Sequence, residues 1–208
     1  VSSSVIVTSV AEAELAKLFT NSWRYIQFAI ANQFFMICEN QSVDYDKVRK
    51  AMTVGYERAA QLPSAGFTAG PCLLKDTMQI SSFYQGSFLL GHSAMMINEG
   101  LPDFIINQMK TKYKLNKRKV GILGMAFKAN VDDIRDSLSF KILKILKFNG
   151  AEVLCSDEYA TNPEFVNKEE LASKCETIIV GVPHSSYENF KIPPNVEVID
   201  IWKILSTN

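Results

Sequence analysis

The spacing of apolar residues changes once along the chain, and this change limits the folds available to it. From Glu12 to about Lys114 the apolar residues recur every three and four positions, which is typical of helices. After Lys119 short apolar runs alternate with an amphipathic segment, as strands and helices do in α/β proteins. The sequence therefore predicts an all-helical first part, a linker near 114–119 and a small parallel sheet with helices.

Caps and helix breakers place several elements within these two parts. Asp44 is a candidate N-cap for a short helix that reaches Met52. A longer helix is predicted over Ser93–Tyr113, interrupted or kinked near Gly100–Pro102. The second part predicts a helix from Ser137 that Gly150 ends, and four strands, within residues 120–124, 152–155, 177–182 and 196–200. Ligands of such sheets bind at the carboxyl ends of the strands.

Composition excludes several classes of protein. The 208 residues are 47% hydrophobic with a net charge of zero, so we expect a globular protein that binds neither nucleic acid nor a membrane surface. Four widely spaced cysteines, without a C-x-x-C pair, favour reduced thiols in a cytoplasmic protein and predict no metal site. Neither a membrane-spanning run nor a signal peptide is recognisable, and the start of the sequence resembles a chain entered partway through.

Cys72 stands in the most informative local setting. It follows a loop of small residues that begins at Gly66, at an apparent helix start, with Lys75 and Asp76 in the next four positions. A helix N-terminus and a nearby ammonium both favour a thiolate, so the pattern is consistent with a nucleophile. A buried cysteine that packs as a small hydrophobic residue is the alternative, and spacing alone does not decide between them.

A second candidate site is the polar loop after the first strand. Lys128 and Arg135 precede a predicted helix start, where both cations suit phosphate oxygens. The alternative is a solvated loop in which Asp136 or Ser137 caps the helix and the neighbouring aspartates neutralise Arg135. The glycines within Gly121–Phe127 are weak evidence for dinucleotide binding, because they lack the G-x-G-x-x-G spacing and a polar loop follows them.

Three motifs in order resemble the UDP-glucose/GDP-mannose dehydrogenase family: Ala13–Asn21, Gly66–Asp76 and Gly121–Lys128 with its continuation to Ser137. The resemblance spans essentially the whole chain. It implies a fold of class α+α/β in a three-part enzyme, of which this chain holds a remnant of the NAD-binding domain (1–10), a central helical dimerisation domain that carries the cysteine (11–114), and a C-terminal Rossmann-like domain that binds the nucleotide sugar (119–208).

The resemblance also implies a reaction for polysaccharide precursor synthesis. Such enzymes are NAD-dependent oxidoreductases that convert a sugar primary alcohol to a carboxylate in two hydride transfers. Cys72 would form the thiohemiacetal and the thioester, and Lys17 and Asn21 would act on the reacting oxygen. Asp76 would position or activate the hydrolytic water. Taken singly, Lys17 and Asn21 read as the polar face of a helix, and Asp76 as a first-turn acid.

Binding roles carry over in the same way. The resemblance assigns Lys75 and Arg135 to NAD, and it implies a homodimer because Arg58 matches an arginine that reaches the partner's site. It assigns these residues to the nucleotide sugar: Pro63, Ser64, Ala65, Gly66, Phe67 and Lys128, besides Arg58. The chain departs from the family pattern at two places. Many members have Gly-Gly before the Ser-Cys of the cysteine loop, where this chain has Ala69-Gly70-Pro71 before Cys72. Trp202 stands two residues after Asp200, where members often have arginine.

Other readings stay open at this level. A non-catalytic nucleotide-sugar-binding or dimerisation module would have the same motifs with an unreactive Cys72, and a related single-step dehydrogenase ranks last because it needs no thioester. UDP-glucose, a UDP-N-acetylhexosamine and GDP-mannose all fit, and the chain alone is expected to be inactive. His92 is interpreted as a helix-packing residue and His184 as a loop residue that could touch a ligand.

Overall fold

A capping box starts the long first helix. In the computed structural model, which describes residues 7–68 and 70–205, the Ser9 side chain accepts the Glu12 N–H, and the Glu12 carboxylate accepts the Ser9 N–H. The expected remnant 1–10 lies largely outside these residues, since 1–6 are not described. Five elements form the helical half: α1 (Val10–Asn40), α2 (Tyr45–Thr53), a 3₁₀ turn (Glu57–Ala59), α3 (Leu73–Phe83) and α4 (Leu89–Lys112).

Two predicted helix starts in this half are confirmed, whereas the predicted start of the longer helix is wrong. Asp44 caps α2 by accepting the N–H groups of Asp46 and Lys47, and Cys72 is the N-cap of α3. The helix α4 begins at Leu89 instead of Ser93 and continues through Pro102. A proline within a helix removes a hydrogen bond at a cost of about 3 kcal/mol. Here Leu101 and Pro102 are both buried, so their packing offsets that cost.

The second half is a four-stranded, all-parallel sheet in the order β2-β1-β3-β4, as expected for a small α/β unit. A short helix, α6, was not predicted. The elements are β1 (Lys119–Leu123), α5 (Leu138–Phe148), β2 (Glu152–Ser156), α6 (Lys168–Lys174), β3 (Thr177–Val180), a 3₁₀ turn (Ser185–Tyr187) and β4 (Glu197–Ile199). Ser137 caps α5, and Gly150, with φ of +80°, follows the end of this helix. The predicted fold class α+α/β is confirmed.

The helical half and the sheet share one hydrophobic core. Leu101, Ile105 and Ile106 of α4 belong to the same cluster as Val120 and Ile142, all of them buried. A smaller cluster packs α6 against the other face of the sheet. Because α4 packs on α5, the two halves meet directly.

One face of α1 carries large apolar side chains that face solvent. Six of them fall within roughly 100° of arc at 3.6 residues per turn. We call this face the α1 stripe: Leu15, Phe19, Trp23, Ile30, Phe34 and Ile37. It is distinct from the face that Leu18 and Tyr25 bury against the rest of the helical half. Across the described residues, every helix is too short or too polar to cross a membrane.

Candidate active site

Cys72 is exposed at the start of α3, whereas the other three cysteines are buried. Burial raises the pKa of both Cys155 and Cys175 to about 11. The thiol of Cys72 lies within electrostatic range of Lys17 and Arg135. The exposed thiol therefore has cations near it and is open to a ligand, while the packing role is taken by the other cysteines.

Two of the predicted catalytic side chains converge on the carboxylate of a third, Asp76. Lys17 Nζ lies 2.9 Å from Asp76 Oδ2, and Asn21 Nδ2 donates to the same oxygen at 2.6 Å. The spacing of four residues on α1 brings the ammonium and the amide to one face, as expected. Burial acts to raise the pKa of Asp76, but the hydrogen bonds from Lys17 and Asn21 outweigh it and hold that pKa below its usual value. The hydrogen bond with Asp76 raises the pKa of Lys17.

A cavity of about 380 Å³ opens beside Cys72 and draws its walls from both halves. Asn21 and Phe67 come from the helical half, and Lys128 and Trp202 come from the α/β half. Its lining is mostly apolar, with a few polar groups, which is the usual character of a small-molecule site. We call it the cysteine cavity. It brings together four residues that the sequence predicted for one site: Asn21, Phe67, Cys72 and Lys128.

The loop that leads to the cysteine is held by a buried amide network. We call Pro63–Cys72 the cysteine loop; Ala69 lies outside the described residues. Asn32 Oδ1 accepts the Gly66 N–H at 2.8 Å, and Asn32 Nδ2 donates to Gly66 O at 3.1 Å and to Asn98 Oδ1 at 2.9 Å. Asn98 in turn donates to the carbonyl of Tyr25 at 2.9 Å. Both asparagines are fully buried, so their bonding fixes the position of the loop.

Side chains of the α/β half close on two glycines of the same loop. The Trp202 indole covers Gly66 so tightly that any Cβ there would overlap the ring. Gly70 has φ of +123°, a conformation that favours glycine, and a Cβ added to it would lie 2.7 Å from the Phe127 ring. The cysteine loop is therefore packed between α1 and the loops at the carboxyl end of the sheet.

A buried pair shapes the loop that carries Lys128. The Asp157 carboxylate, at the end of β2, accepts the N–H groups of Met125 and Ala126 at 2.6 and 2.9 Å. His184 Nδ1 accepts the Asn130 N–H at 2.9 Å, so Nε2 carries the proton and donates to Asp157 at 3.1 Å. Burial acts to raise the pKa of Asp157, but these hydrogen bonds hold it well below its usual range.

The structure contradicts the sequence interpretation of one histidine and confirms that of the other. His184 is fully buried, so the expectation that it could touch a ligand is wrong: its ring packs between Tyr159 and Tyr187. His92 packs α4 on α3, as predicted, with Nε2 at 2.7 Å from Ser81 Oγ.

The two residues that the sequence assigned to a cofactor, Lys75 and Arg135, lie outside the lining of the cysteine cavity. Lys75 lines a larger cavity of about 690 Å³ that shares Gly70 and Pro71 with the cysteine cavity. We call it the lysine cavity, because Lys141 and Lys144 also line it. Arg135 is exposed and pairs with Asp133, with Nη2 at 2.7 Å from Oδ2. The aspartates thus neutralise Arg135, as the alternative interpretation expected, and Ser137 is the cap of α5.

The remaining predicted residues do not line the cysteine cavity. Arg58 is exposed in the 3₁₀ turn after α2, and Pro63 and Ser64 are half-buried. Ala65 and Gly66 are buried, and neither lines the cavity. Among the described residues, no group of three or more His, Cys, Asp or Glu side chains is placed to hold a metal ion.

Several cavity residues had no signal in the sequence as site residues. They come from separate parts of the chain, and the packing of the two halves brings them together: Arg24, Phe28, Leu73, Phe127, Gly181, Val182 and Pro183. The carboxyl end of a predicted strand was the one available hint for Gly181, Val182 and Pro183. In the sequence, Trp202 stood out only as a departure from a family pattern, and its contact with Gly66 was not predicted.

Comparisons with known proteins find relatives for both halves of the chain. Residues 11–99 match the central domain, and residues 121–207 the UDP binding domain, of the UDP-glucose/GDP-mannose dehydrogenase family. A UDP-N-acetyl-D-mannosamine dehydrogenase of Methanocaldococcus jannaschii is 28% identical over 195 residues, which are 91% of this chain and 44% of that protein. A UDP-glucose 6-dehydrogenase of Haloferax volcanii is 29% identical over 163 residues, 76% of this chain and 37% of that protein.

Solved structures show the same fold. A UDP-D-ManNAc dehydrogenase from Pyrococcus horikoshii superposes with a TM-score of 0.86 at 24% identity, covering 100% of this chain and 52% of that one. A UDP-glucose dehydrogenase from Pyrobaculum islandicum gives 0.83, also at 24% identity, over 94% of this chain and 48% of that one. The chain therefore spans about half the length of the relatives that it matches.

Proposed function

The chain belongs to the UDP-glucose/GDP-mannose dehydrogenase family, and from this premise we propose that it is the part of a UDP-sugar 6-dehydrogenase that binds the sugar nucleotide and carries the nucleophile. The reaction oxidises the sugar primary alcohol to a carboxylate in two steps. The observation that carries the proposal is the cysteine cavity, where an exposed thiol, Asn21 and Lys128 line one space.

Cys72 is the nucleophile in this proposal. Its Sγ forms a bond to the carbon of the intermediate aldehyde, whose oxygen takes a proton, and the adduct keeps the aldehyde from escaping. After the second oxidation the adduct is a thioester. Water then breaks the C–S bond, which releases the sugar carboxylate and restores the thiol.

Lys17, Asn21 and Asp76 act as one group. Asp76 holds the ammonium and the amide in place, 2.9 and 2.6 Å from its Oδ2. Donors that are fixed before the reaction stabilise negative charge on the reacting oxygen without reorganising. Lys17 also accepts or delivers the alcohol proton, and Asp76 orients the water that cleaves the thioester.

NAD is the cofactor that the family resemblance implies, and we place it on the lysine cavity side of the cysteine loop, held mainly by a Rossmann domain outside this segment. Lys75, Lys141 and Lys144 line this cavity beside the N-terminus of α5, which suits a pyrophosphate. Arg135 has guanidinium N–H groups besides those bonded to Asp133. When bound, NAD takes the hydride in each oxidation.

We also propose a homodimer formed through the α1 stripe. Single apolar side chains are often exposed on a protein surface, but six large ones on one helix face form a patch that is typical of an interface. A second copy of the same stripe is a complementary partner for it. Arg58, exposed after α2, would then reach the partner's cavity, as the resemblance implies.

Calorimetric titration of this chain tests the binding half of the proposal. We expect UDP-N-acetylglucosamine and UDP-glucose to bind and GDP-mannose to bind more weakly. Lys128→Met should raise the Kd at least about 10-fold, because a charge-assisted bond to phosphate is lost. Lys114→Met, at an exposed position away from the cavity, is the matched control. Failure of all three ligands to bind would contradict the proposal.

The catalytic half needs the chain joined to an NAD-binding domain. With NAD and a UDP-sugar, Cys72→Ser should lower the yield of sugar acid by about 10²-fold or more, while aldehyde can still form. An unchanged acid yield would remove Cys72 from the mechanism. Turnover by this chain alone would contradict the proposed location of NAD.

A further inference from the structure

Trp202 contacts both halves of the molecule with one side chain. Its indole ring lies over Gly66 in the cysteine loop, and Nε1 donates to Gly181 O, at the carboxyl end of β3, at 3.2 Å. The same ring lines the cysteine cavity. Since the N–H is already paired with Gly181, the ring presents an apolar surface to the cavity.

Gly66 is held from its other side as well. Asn32, fully buried on α1, accepts the Gly66 N–H and donates to the Gly66 carbonyl. The backbone of Gly66 therefore lies between the Asn32 amide and the Trp202 ring. The loop cannot move away from the sheet without uncovering the indole, and it cannot move toward the sheet without breaking the bonds to Asn32.

We propose that Trp202 is a positioning residue that holds the cysteine loop against the ligand-binding end of the sheet. The distance between the Cys72 thiol and a nucleotide sugar bound at that end is then fixed. The contact itself is independent of what the protein does, whereas its consequence for ligand binding rests on the proposed function. The experiments separate the two.

Hydrogen exchange tests the contact. In Trp202→Ala the amides of Gly66 and Thr68 should exchange at least about 10-fold faster, while those of Thr177–Val180 in β3 keep their rates. Trp202→Phe retains a ring over Gly66 and should show a smaller increase. Phe148→Ala removes an exposed aromatic residue of α5, outside the site and the α1 stripe, and should leave the loop amides unchanged. Faster exchange spread evenly over the protein, or no change at Gly66, would overturn the positioning role.

A double-mutant cycle gives a second test of the contact. Gly66→Ala places a Cβ inside the indole and should destabilise the protein. The same substitution should have a much smaller effect in a Trp202→Ala background, because the ring that it meets is gone. Equal effects in the two backgrounds would show that Trp202 does not hold Gly66.

Fluorescence tests the consequence for binding. Trp23→Phe leaves Trp202 as the single tryptophan, and UDP-N-acetylglucosamine should change its emission with a saturable dependence. Trp202→Ala, followed by calorimetry, should raise the Kd at least about 5-fold, and Trp202→Phe should restore most of the affinity. Binding that is unaffected by Trp202→Ala would overturn the positioning role for the ligand. No binding by the unchanged chain would overturn the proposed function and leave the exchange result as evidence for the contact alone.

Discussion

The ammonium of Lys17 and the carboxylate of Asp76 form an ion pair that joins α1 to the first turn of α3, with Nζ 2.9 Å from Oδ2. Asn21 donates to the same oxygen. The Asp76 carboxylate is buried, so it needs these donors in place of water, whereas the Lys17 side chain is mostly exposed and its ammonium can be solvated. The pair thus fixes the ammonium and the amide beside the start of the helix that Cys72 caps.

The pair should make stability depend on pH at both extremes. The folded pKa of Asp76 lies below its usual value of 3.8, so its contribution is complete above that value and is lost as the pH falls through the folded pKa. The folded pKa of Lys17 lies above 10.5, so its contribution is complete below that value and is lost as the pH rises through the folded pKa.

Asp76→Asn is therefore expected to lower the urea midpoint by a constant amount between about pH 5 and 9, with the difference shrinking below about pH 4. Urea unfolding across this range measures it. Glu57→Gln, which changes an exposed carboxylate, is the control and should show almost no difference. A difference that grows in acid would contradict the ion pair.

Alkylation should distinguish Cys72 from the other cysteines. At neutral pH, iodoacetamide should modify Cys72 at least about 10²-fold faster than Cys155 or Cys175, because these two are buried and their pKa is about 11. Peptide mass spectrometry over a time course measures the rates. Cys72→Ser should abolish the fast phase, and a fast phase that survives would place the reactive thiol elsewhere.

Removal of His184 should lower both the free energy of unfolding and the affinity for the ligand. His184→Ala leaves the Asn130 N–H without its acceptor and the buried Asp157 carboxylate without one of its donors, at a cost of about 2 to 3 kcal/mol. Urea unfolding measures this loss, and calorimetry should show weaker UDP-sugar binding because the loop that carries Lys128 is released. His92→Ala, the other histidine change, should leave ligand binding intact.

A charge placed in the α1 stripe should halve the mass of the protein in solution. Trp23→Glu puts a charge in the centre of an apolar interface, where it has no partner, so we expect a dimer to become a monomer. Light scattering coupled to size-exclusion chromatography measures the mass. Val54→Glu, an exposed apolar position outside α1, should leave the dimer intact. A monomer in the unchanged chain would contradict the proposed dimer.

Local sequence rules predicted most elements because the signals were themselves local. Asp44 and Ser137 cap helix starts with their side chains, and Gly150, with a positive φ, follows a helix end. Cys72 stands at the start of α3 without a capping hydrogen bond from its side chain. The missed helix, α6, has only seven residues and many charges, so its apolar periodicity is weak. The helix α4 passes Pro102 because burial in the shared core outweighs a local preference.

Residue spacing by itself predicted proximity in the site only where two residues share an element, whereas the grouping of residues from separate elements came from the family resemblance. Lys17 and Asn21 were expected on one face because helix geometry puts positions four apart together. Their meeting with Asp76, and the packing of Trp202 on Gly66, depend on how separate elements dock, and no spacing rule reports this. The same holds for the burial of His184, whose partners come from two other loops.

The bonds of Asp157 bear on where this sheet can hold a phosphate. In dinucleotide-binding sheets the turn after the first strand offers its N–H groups to a pyrophosphate. In this protein the corresponding N–H groups of Met125 and Ala126 already bind a carboxylate of the chain itself. Asp157 is a built-in anion that repels a second one, so a phosphate at this edge of the sheet needs other donors, such as Lys128, in place of these two N–H groups.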